Sequence, residues 1–140
     1  MTTIDPEIYD RLTPLIESQG FIAHLDVEVR ALSVGSCEIT LAYEQRWSQQ
    51  DGVFHSGIVG TLADNSASLA GASVMPVGQA CAAAEYKMNL LTPAKGDRLI
   101  ARAKVIKSGR TLVVAESNIY SQSGAEERHV ATALLTFVAV

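Results

Sequence analysis

The feature that most constrains the fold is one long, almost wholly apolar segment in the middle of the chain. Residues 56–74 are SGIVGTLADNSASLAGASV, and Pro76 and Gly78 follow them closely. This length and composition predict a long α-helix that ends before the proline. Because the helix is apolar over most of its surface, it must be buried, and a sheet built from the rest of the chain is the economical cover.

The segments on both sides of this helix predict strands. Between Phe21 and Arg46 two strand-like stretches flank the turn SVGS. Four more follow the helix, at about 80–91, 98–107, 111–121 and 128–139. Residues 98–105 alternate between small apolar and mostly charged side chains, which indicates a sheet with one packed face, and the short connections favour antiparallel neighbours. The predicted fold is α+β: a single domain, residues 1–140, with an antiparallel sheet of about five or six strands wrapped around one long central helix.

A shorter helix is predicted near the N-terminus. Asp5 is a typical N-cap acceptor, and Pro6 follows it at the first helical position. The pattern ends by Gly20, with a potential break at Pro14.

Composition bears on partners and location. The net charge is only −4, without a polybasic run, so neither nucleic acid nor an anionic membrane is an expected partner. A hydrophobic share of 48% predicts surface buried against another subunit. The chain shows neither a secretory pattern at its start nor a run of about 18 apolar residues, so we expect a cytoplasmic protein. Cys37 and Cys81 lie outside any metal or disulfide spacing, which predicts buried free thiols.

The apolar helix carries one carboxylate, Asp64. Residues three, four and seven apart share a helix face, and every neighbour of Asp64 on its face is small. They are Gly57, Gly60, Thr61, Ser68 and Gly71. Two interpretations remain open: plain helix–helix packing with Asp64 bonded to Ser or Thr, or close approach of a second helix or an extended ligand.

The start of the helix offers chemistry of its own. Ser56 and Gly57 fall in the first turn, where main-chain N–H groups lack helical partners and favour a developing oxyanion. Ser56 is alternatively only an N-cap. A Ser56 nucleophile with His55 as base is disfavoured because the chain has no GxSxG elbow, and a metal site on His55 and Asp64 lacks the required spacing to another histidine.

The stretch QQDGVFHSG followed by Asp64 resembles the fingerprint of the hotdog-fold acyl-CoA thioesterases of the PaaI-like group. That fingerprint is Asn-x-x-Gly-x-x-His-Gly-Gly with an acidic residue nine positions after the histidine. The later segments MNLLTPAKGD, VIKSGRTLVVAE and VATALLTFVAV are similar to the sheet of the same family, so the resemblance covers about residues 49–140. It implies the hotdog fold, hydrolysis of a thioester, and no cofactor beyond the coenzyme A of the substrate.

The resemblance also implies roles for individual residues. Asp64 would be the catalytic carboxylate, as general base or nucleophile, and the main-chain N–H of Ser56 the oxyanion donor, with Gly57 beside it. His55 would shape or polarise the carbonyl site. Gln49 stands where the family usually has asparagine, and Ser56 where it has glycine. The serine that some relatives carry on the strand after the helix is absent, because CAAAEYK offers only alanines there.

A coenzyme A ester needs partners for its phosphates. Six of the chain's 11 Lys and Arg residues lie between positions 95 and 110, although solvated strand faces often have this composition. They are Lys95, Arg98, Arg102, Lys104, Lys107 and Arg110. The family meets the nucleotide near a sheet edge, which singles out Lys107, Gly109 and Arg110 in the KSGR turn.

The acyl group and the assembly are less constrained. Phe54, Tyr86, Met88 and Leu90 predict an apolar pocket for aryl or short to medium acyl groups, or simply core. Ser56 and Asp64 are eight residues apart, about 12 Å along a helix, so one carbonyl cannot reach both in one chain. This predicts a homodimer with composite sites, and the family often pairs such dimers into tetramers. The alternatives are a hotdog hydratase or dehydratase, and a non-catalytic acyl-CoA binding protein.

Overall fold

The computed structural model describes residues 3–140. The helices are α1 (Pro6–Glu17), α2 (Gly20–Ala23) and α3 (Ser56–Val74). The strands are β1 (Glu28–Ser33), β2 (Ser36–Ala42), β3 (Cys81–Leu90), β4 (Arg98–Ser108), β5 (Leu112–Ser123) and β6 (Glu126–Ala139). Two short 3-10 turns, Gln45–Trp47 and Gln50–Gly52, lie in the loop that leads into α3.

The strands form one antiparallel sheet in the order β1-β2-β4-β5-β6-β3. Helix α3 contacts all six strands, so the sheet must curve around it. This confirms the predicted α+β arrangement of a wrapped sheet and one central helix. Strand β3 lies at one edge of the sheet and β1 at the other. None of the helices within residues 3–140 is long and apolar enough to cross a membrane.

Helix α3 is the centre of the core. Leu62, Ala63 and Ala67 have no exposed surface, and the inner side chains of β5 alternate with outward-facing ones as expected for one packed face. A hydrogen bond of 2.8 Å between the buried hydroxyls of Ser66 and Ser117 links α3 to β5. The predicted bounds of α3 are confirmed.

The C-terminal end of α3 is held by α1. The guanidinium of Arg11 donates to the carbonyl oxygens of Ser73 at 2.8 Å and Met75 at 3.2 Å. These carbonyls have no helical partner, so the cation satisfies them and complements the negative end of the helix dipole. Asp5 caps α1 as predicted, through its Oδ1 and the N–H groups of Glu7 and Ile8.

The first third of the chain departs from the prediction in two places. Helix α1 continues through Pro14 without a break, because the proline lies in the last turn and removes only one helical hydrogen bond. The segment from Phe21 onwards is not a strand but α2, and β1 begins only at Glu28. Ile22 and Leu25 are buried three residues apart while Phe21 is exposed, which is helical rather than strand spacing.

The last two strands are longer than predicted. The polar sequence SQSGAEE was expected to be a turn, but β5 and β6 extend into it from both sides and leave only residues 124–125 between them. Gly124 has a φ of 58° there, and its N–H donates to Asp97 Oδ2 at 3.1 Å. The polar residues were misleading because strand ends tolerate them on the exposed face.

Candidate active site

The loop that leads into α3 is fixed by main-chain hydrogen bonds. The N–H of His55 donates to the carbonyl oxygen of Trp47 at 2.8 Å, and the N–H of Phe54 donates to that of Ala94 at 2.8 Å. Trp47 and Phe54 are both buried. These contacts hold His55 at the N-cap of α3, with φ −62° and ψ 138°.

Within residues 3–140, a single main-chain N–H group of the first turn of α3 has no hydrogen-bond partner. The N–H of Gly57 donates to Nδ1 of His55 at 2.9 Å, and the N–H groups of Ile58 and Val59 donate to the His55 carbonyl oxygen at 2.9 and 3.2 Å. The N–H of Ser56 takes part in no hydrogen bond within residues 3–140. Of the two amides predicted as oxyanion donors, Ser56 is therefore the available one.

The hydrogen bond by which His55 caps α3 also fixes the orientation of its ring. Because Nδ1 accepts a hydrogen bond, the neutral ring carries its proton on Nε2. A Cβ at position 57 would lie 2.9 Å from Nδ1, so the missing side chain of Gly57 is what allows the ring to fold back over the helix. Ser56 is not among the residues with positive φ, so its Cβ is accommodated where the family usually has glycine.

Asp64 lies two turns further along α3, on the stripe that the sheet leaves open. This stripe consists of Gly57, Thr61, Asp64 and Ser68, none of which is fully buried. Burial raises the pKa of the Asp64 carboxyl, and a long hydrogen bond of 3.5 Å from Ser68 Oγ to Oδ1 partly offsets this. No ion pair within residues 3–140 involves Asp64. The carboxylate is thus half-desolvated and without a cation.

The other two predicted members of this face lie at its flank, under β3. A Cβ on Gly60 would be 3.4 Å from Tyr86 Oη and 3.5 Å from Met88 Cε, and one on Gly71 would be 3.5 Å from Cys81 Sγ. These are ordinary van der Waals distances, so both glycines face the sheet and a methyl group would fit at either position. The open stripe is narrower than the predicted face.

Cys81 is a neighbour of Asp64 that the sequence analysis missed. Burial, and next the negative charge of Asp64, raise the pKa of its thiol to about 11, so it stays protonated at neutral pH. Both cysteines are free thiols, but of the two predicted buried thiols only Cys37 is buried, whereas Cys81 is half-buried because it begins the edge strand β3. The strand after the helix was expected to offer only alanines near the carboxylate, but its first residue places a weak hydrogen-bond donor on that side.

Gln49 and Ser56 share a cavity of about 270 Å³ at the start of α3. The other lining residues are Val53, Phe54, Val59 and residues 90–94. Phe54 and Leu90 are thus in the predicted apolar pocket, whereas Tyr86 and Met88 are not. The sequence pattern did not predict the remaining lining residues. The turn sequence TPA after β3 lies in the segment that contributes most of them, but it indicates only a turn.

The predicted phosphate-binding residues lie elsewhere. Lys107, Gly109 and Arg110 are exposed in the hairpin between β4 and β5. The N–H of Gly109 donates to the Leu112 carbonyl oxygen at 2.8 Å, and a Cβ on Gly109 would lie 2.9 Å from that oxygen. A Cβ on Gly35 would contact both Val74 and Val105, each at 3.6 Å, which places this hairpin at the C-terminal end of α3.

One member of the basic cluster is already neutralised. Arg102 forms ion pairs with Glu38 and Glu127, both at 2.7 Å, and its guanidinium lies 4.9 Å from the centre of the Tyr120 ring. In contrast, neither Lys107 nor Arg110 takes part in an ion pair within the described chain. Lys107 and Arg110 at the hairpin are therefore available to bind an anion, whereas Arg102 on the sheet is already paired with two glutamates.

Comparison with known proteins agrees with this geometry. The family model described as Thioesterase superfamily matches residues 51–127. A Haemophilus influenzae protein, provisionally named an esterase, is 30% identical over 105 residues, which are 75% of this chain and 76% of that protein. The crystal structure of a thioesterase family protein from Silicibacter pomeroyi superimposes with a TM-score of 0.92 and 34% identity, over 95% of this chain and 98% of that chain.

A more distant structure shares the fold. The E. coli PaaI protein, from the phenylacetic acid degradation operon, superimposes with a TM-score of 0.86 at 20% identity, over 99% of this chain and 96% of that chain. The family model covers more than half of the chain, and the esterase relative is 30% identical over three quarters of it. This chain therefore belongs to the thioesterase superfamily and is a thioester hydrolase with the hotdog fold.

Proposed function

We propose that the protein hydrolyses an acyl-CoA to the free acid and coenzyme A, with Asp64 as the catalytic carboxylate and the Ser56 amide as the oxyanion donor. One observation carries this proposal: helix α3 presents a free first-turn amide and a half-desolvated, unpaired carboxylate on its open side. A thioester is an activated acyl group, so a carboxylate and an aimed amide suffice without a serine triad.

Two routes use the same residues. As a base, Asp64 takes a proton from water while the water oxygen attacks the thioester carbonyl, and the oxyanion accepts a hydrogen bond from the Ser56 N–H. Collapse of this intermediate breaks the C–S bond, and the thiolate leaves with the proton from Asp64. As a nucleophile, the Asp64 carboxylate attacks the carbonyl itself, the C–S bond breaks, and coenzyme A leaves as the thiolate, which takes a proton from solvent. Water then hydrolyses the mixed anhydride to the free acid and restores the Asp64 carboxylate. The raised pKa of the carboxyl suits both routes, because desolvation makes the carboxylate a stronger base and a stronger nucleophile alike.

The two groups must come from different subunits. They lie eight residues apart, about 12 Å along the helix axis, whereas both must be about 3 Å from one reacting carbonyl. Two copies of α3 packed antiparallel through the open stripe bring Ser56 of one subunit towards Asp64 of the other. The small residues Gly57 and Thr61 permit a close approach. We therefore propose a homodimer with two equivalent sites, paired into a dimer of dimers.

The unpaired cations of the β4–β5 hairpin are placed to bind the coenzyme A phosphates in the proposed dimer. Asp64 is ten residues from Val74, about 15 Å along α3, and the hairpin with Lys107, Gly109 and Arg110 lies at that end. An extended pantetheine arm covers this distance. The subunit that supplies Asp64 would thus also meet the phosphates, whereas the other subunit supplies the amide and Gln49.

The proposal is tested by release of the thiol from a panel of acyl-CoA esters. Asp64→Asn should lower kcat/KM by about 10²–10⁴-fold with the protein still folded. Ser56→Ala, which keeps the amide, is the matched control for Ser56→Pro, which deletes it and should lose about 10²–10³-fold. Full activity of Asp64→Asn would contradict the mechanism. Tight binding of acyl-CoA without turnover would indicate a binding protein, and hydration of an enoyl-CoA a hydratase.

A further inference from the structure

The cavity at the start of α3 has no charged lining. Among the residues that the structure describes, ten line it: Gln49, Ser56 and Thr92 are polar, and the other seven are aliphatic, aromatic or proline. A methylene group is about the size of a water molecule, which takes about 30 Å³. The cavity of about 270 Å³ therefore holds a six-carbon chain with room to spare.

Main-chain bonds hold the walls of this cavity from both sides. Ala94 accepts from the N–H of Phe54 at 2.8 Å, which joins residues 90–94 to the loop before α3. On the other side, the N–H of Leu91 donates to the Val130 carbonyl oxygen at 2.8 Å, and Thr92 Oγ1 donates to that of His129 at 3.2 Å. The cavity is thus preformed, as small-molecule sites usually are.

The position of the cavity decides which part of a substrate it can take. Ser56 lines it, so a carbonyl held by the Ser56 amide has the cavity directly beside it. No Lys or Arg of the described chain lines the cavity to meet a phosphate, whereas Lys107 and Arg110 lie at the opposite end of α3. The acyl group, not the coenzyme, matches this lining.

We propose that this cavity is the acyl site, that it selects thioesters of uncharged apolar acyl groups, and that Leu91 and Leu90 at its rim exclude acyl groups ending in a carboxylate. This inference rests on the proposed function. A terminal carboxylate would lose part of its hydration against this lining without gaining a cation or a set of hydrogen-bond donors, which is unfavourable. A terminal methyl group gains from the same burial.

The test compares hexanoyl-CoA with adipoyl-CoA, which differ only in a terminal methyl group or carboxylate. We expect kcat/KM of the wild type to favour hexanoyl-CoA by about 10–100-fold. Leu91→Arg supplies a cation at a position that is 49% exposed, so the fold should tolerate it. It should shift the ratio towards adipoyl-CoA by about 10-fold or more, because a charge-assisted pair replaces an unpaired charge.

Two further variants complete the experiment. Leu90→Arg, at a rim position that is 56% exposed, should shift the ratio in the same direction and covers the case that Leu91→Arg does not fold. Val34→Arg adds the same charge at a 70% exposed turn at the other end of α3, and should leave the ratio unchanged.

The possible failures are distinguishable. Equal turnover of the two esters by the wild type, or a ratio that moves as much in Val34→Arg as in the two rim variants, would overturn the acyl-site assignment and leave the proposed function standing. Absence of hydrolysis with every thioester would overturn the proposed function, and this inference with it.

Discussion

Subunit complementation tests the composite site directly, with Ser56→Pro and Asp64→Ala as the two inactive partners. The structure indicates that both variants fold. Ser56 is the first residue of α3, where proline is favoured, and its N–H forms no hydrogen bond with any of residues 3–140. His55 already has φ −62° and ψ 138°, the conformation that a residue before proline prefers. Alanine at position 64 removes an unpaired carboxylate from a helix interior and has the best helix propensity.

The expected magnitude follows from counting sites. Alone, each variant should lose about 10²–10³-fold or more in kcat/KM. After complete exchange of an equal mixture, half of the dimers are mixed, and in each mixed dimer one of the two sites draws both intact groups from different chains. The mixture should therefore recover about one quarter of the wild-type activity per subunit. Thiol release measures the activity, and native mass spectrometry of a tagged subunit measures the exchange.

A chain carrying both substitutions provides the matched control. Mixed equally with wild type before exchange, it leaves about half of the activity, because half of the dimers are wild type. After exchange the activity should fall to about one quarter, since a mixed dimer then has no intact site. A mixture of the single variants that stays inactive despite proven exchange, together with a double-variant mixture that stays at one half, would refute the antiparallel dimer site.

Four further predictions concern single residues. Ser68→Ala removes the hydrogen bond that lowers the pKa of Asp64, so the acid limb of the pH profile of kcat/KM should move to higher pH. Asp64→Asn should melt at a higher temperature than wild type at pH 7–8 and at the same temperature in acid. The reason is that burial raises the folded-state pKa of Asp64, so the stability present when it is protonated is lost as pH rises through that pKa. Gly57→Ala puts a Cβ 2.9 Å from Nδ1 of His55 and should displace the ring, so kcat should fall. The melting temperature should stay within a few degrees, because losing the His55 cap costs about 1 kcal/mol and replacing glycine by alanine in the helix gains about 1 kcal/mol. Arg110→Glu should raise KM for acyl-CoA esters several-fold and leave a short pantetheine thioester nearly unaffected in the same assay.

The sequence predicts features that depend on local periodicity and spacing. The bounds of α3 follow from its apolar run and the proline behind it, and the β1–β2 hairpin from the turn between its strands. By contrast, α2 was misassigned because Phe21 and its neighbours have strand-like composition, and only the packing of Ile22 and Leu25 reveals the helical spacing.

The site was predictable only in part, for the same physical reason. The spacing of Gln49, Ser56 and Asp64 is local, whereas the cavity beside Ser56 depends on a main-chain bond between Phe54 and Ala94, 40 positions apart. Long-range contacts also changed the interpretation of the basic cluster. Sheet register places Glu38 opposite Arg102, and the fold adds Glu127, so a cation that looked available in the sequence is already paired.

The free amide of Ser56 has a consequence for how such a site is encoded. A main-chain donor has no side-chain identity, so position 56 is free to vary as long as it is not proline and its backbone stays helical. The information lies in the neighbours: a glycine at position 57 that makes room, and a histidine at position 55 that occupies the competing N–H. On the proposed mechanism, the side chain at position 56 can therefore change without loss of the oxyanion donor, whereas a change at position 55 or 57 alters which first-turn amide is free.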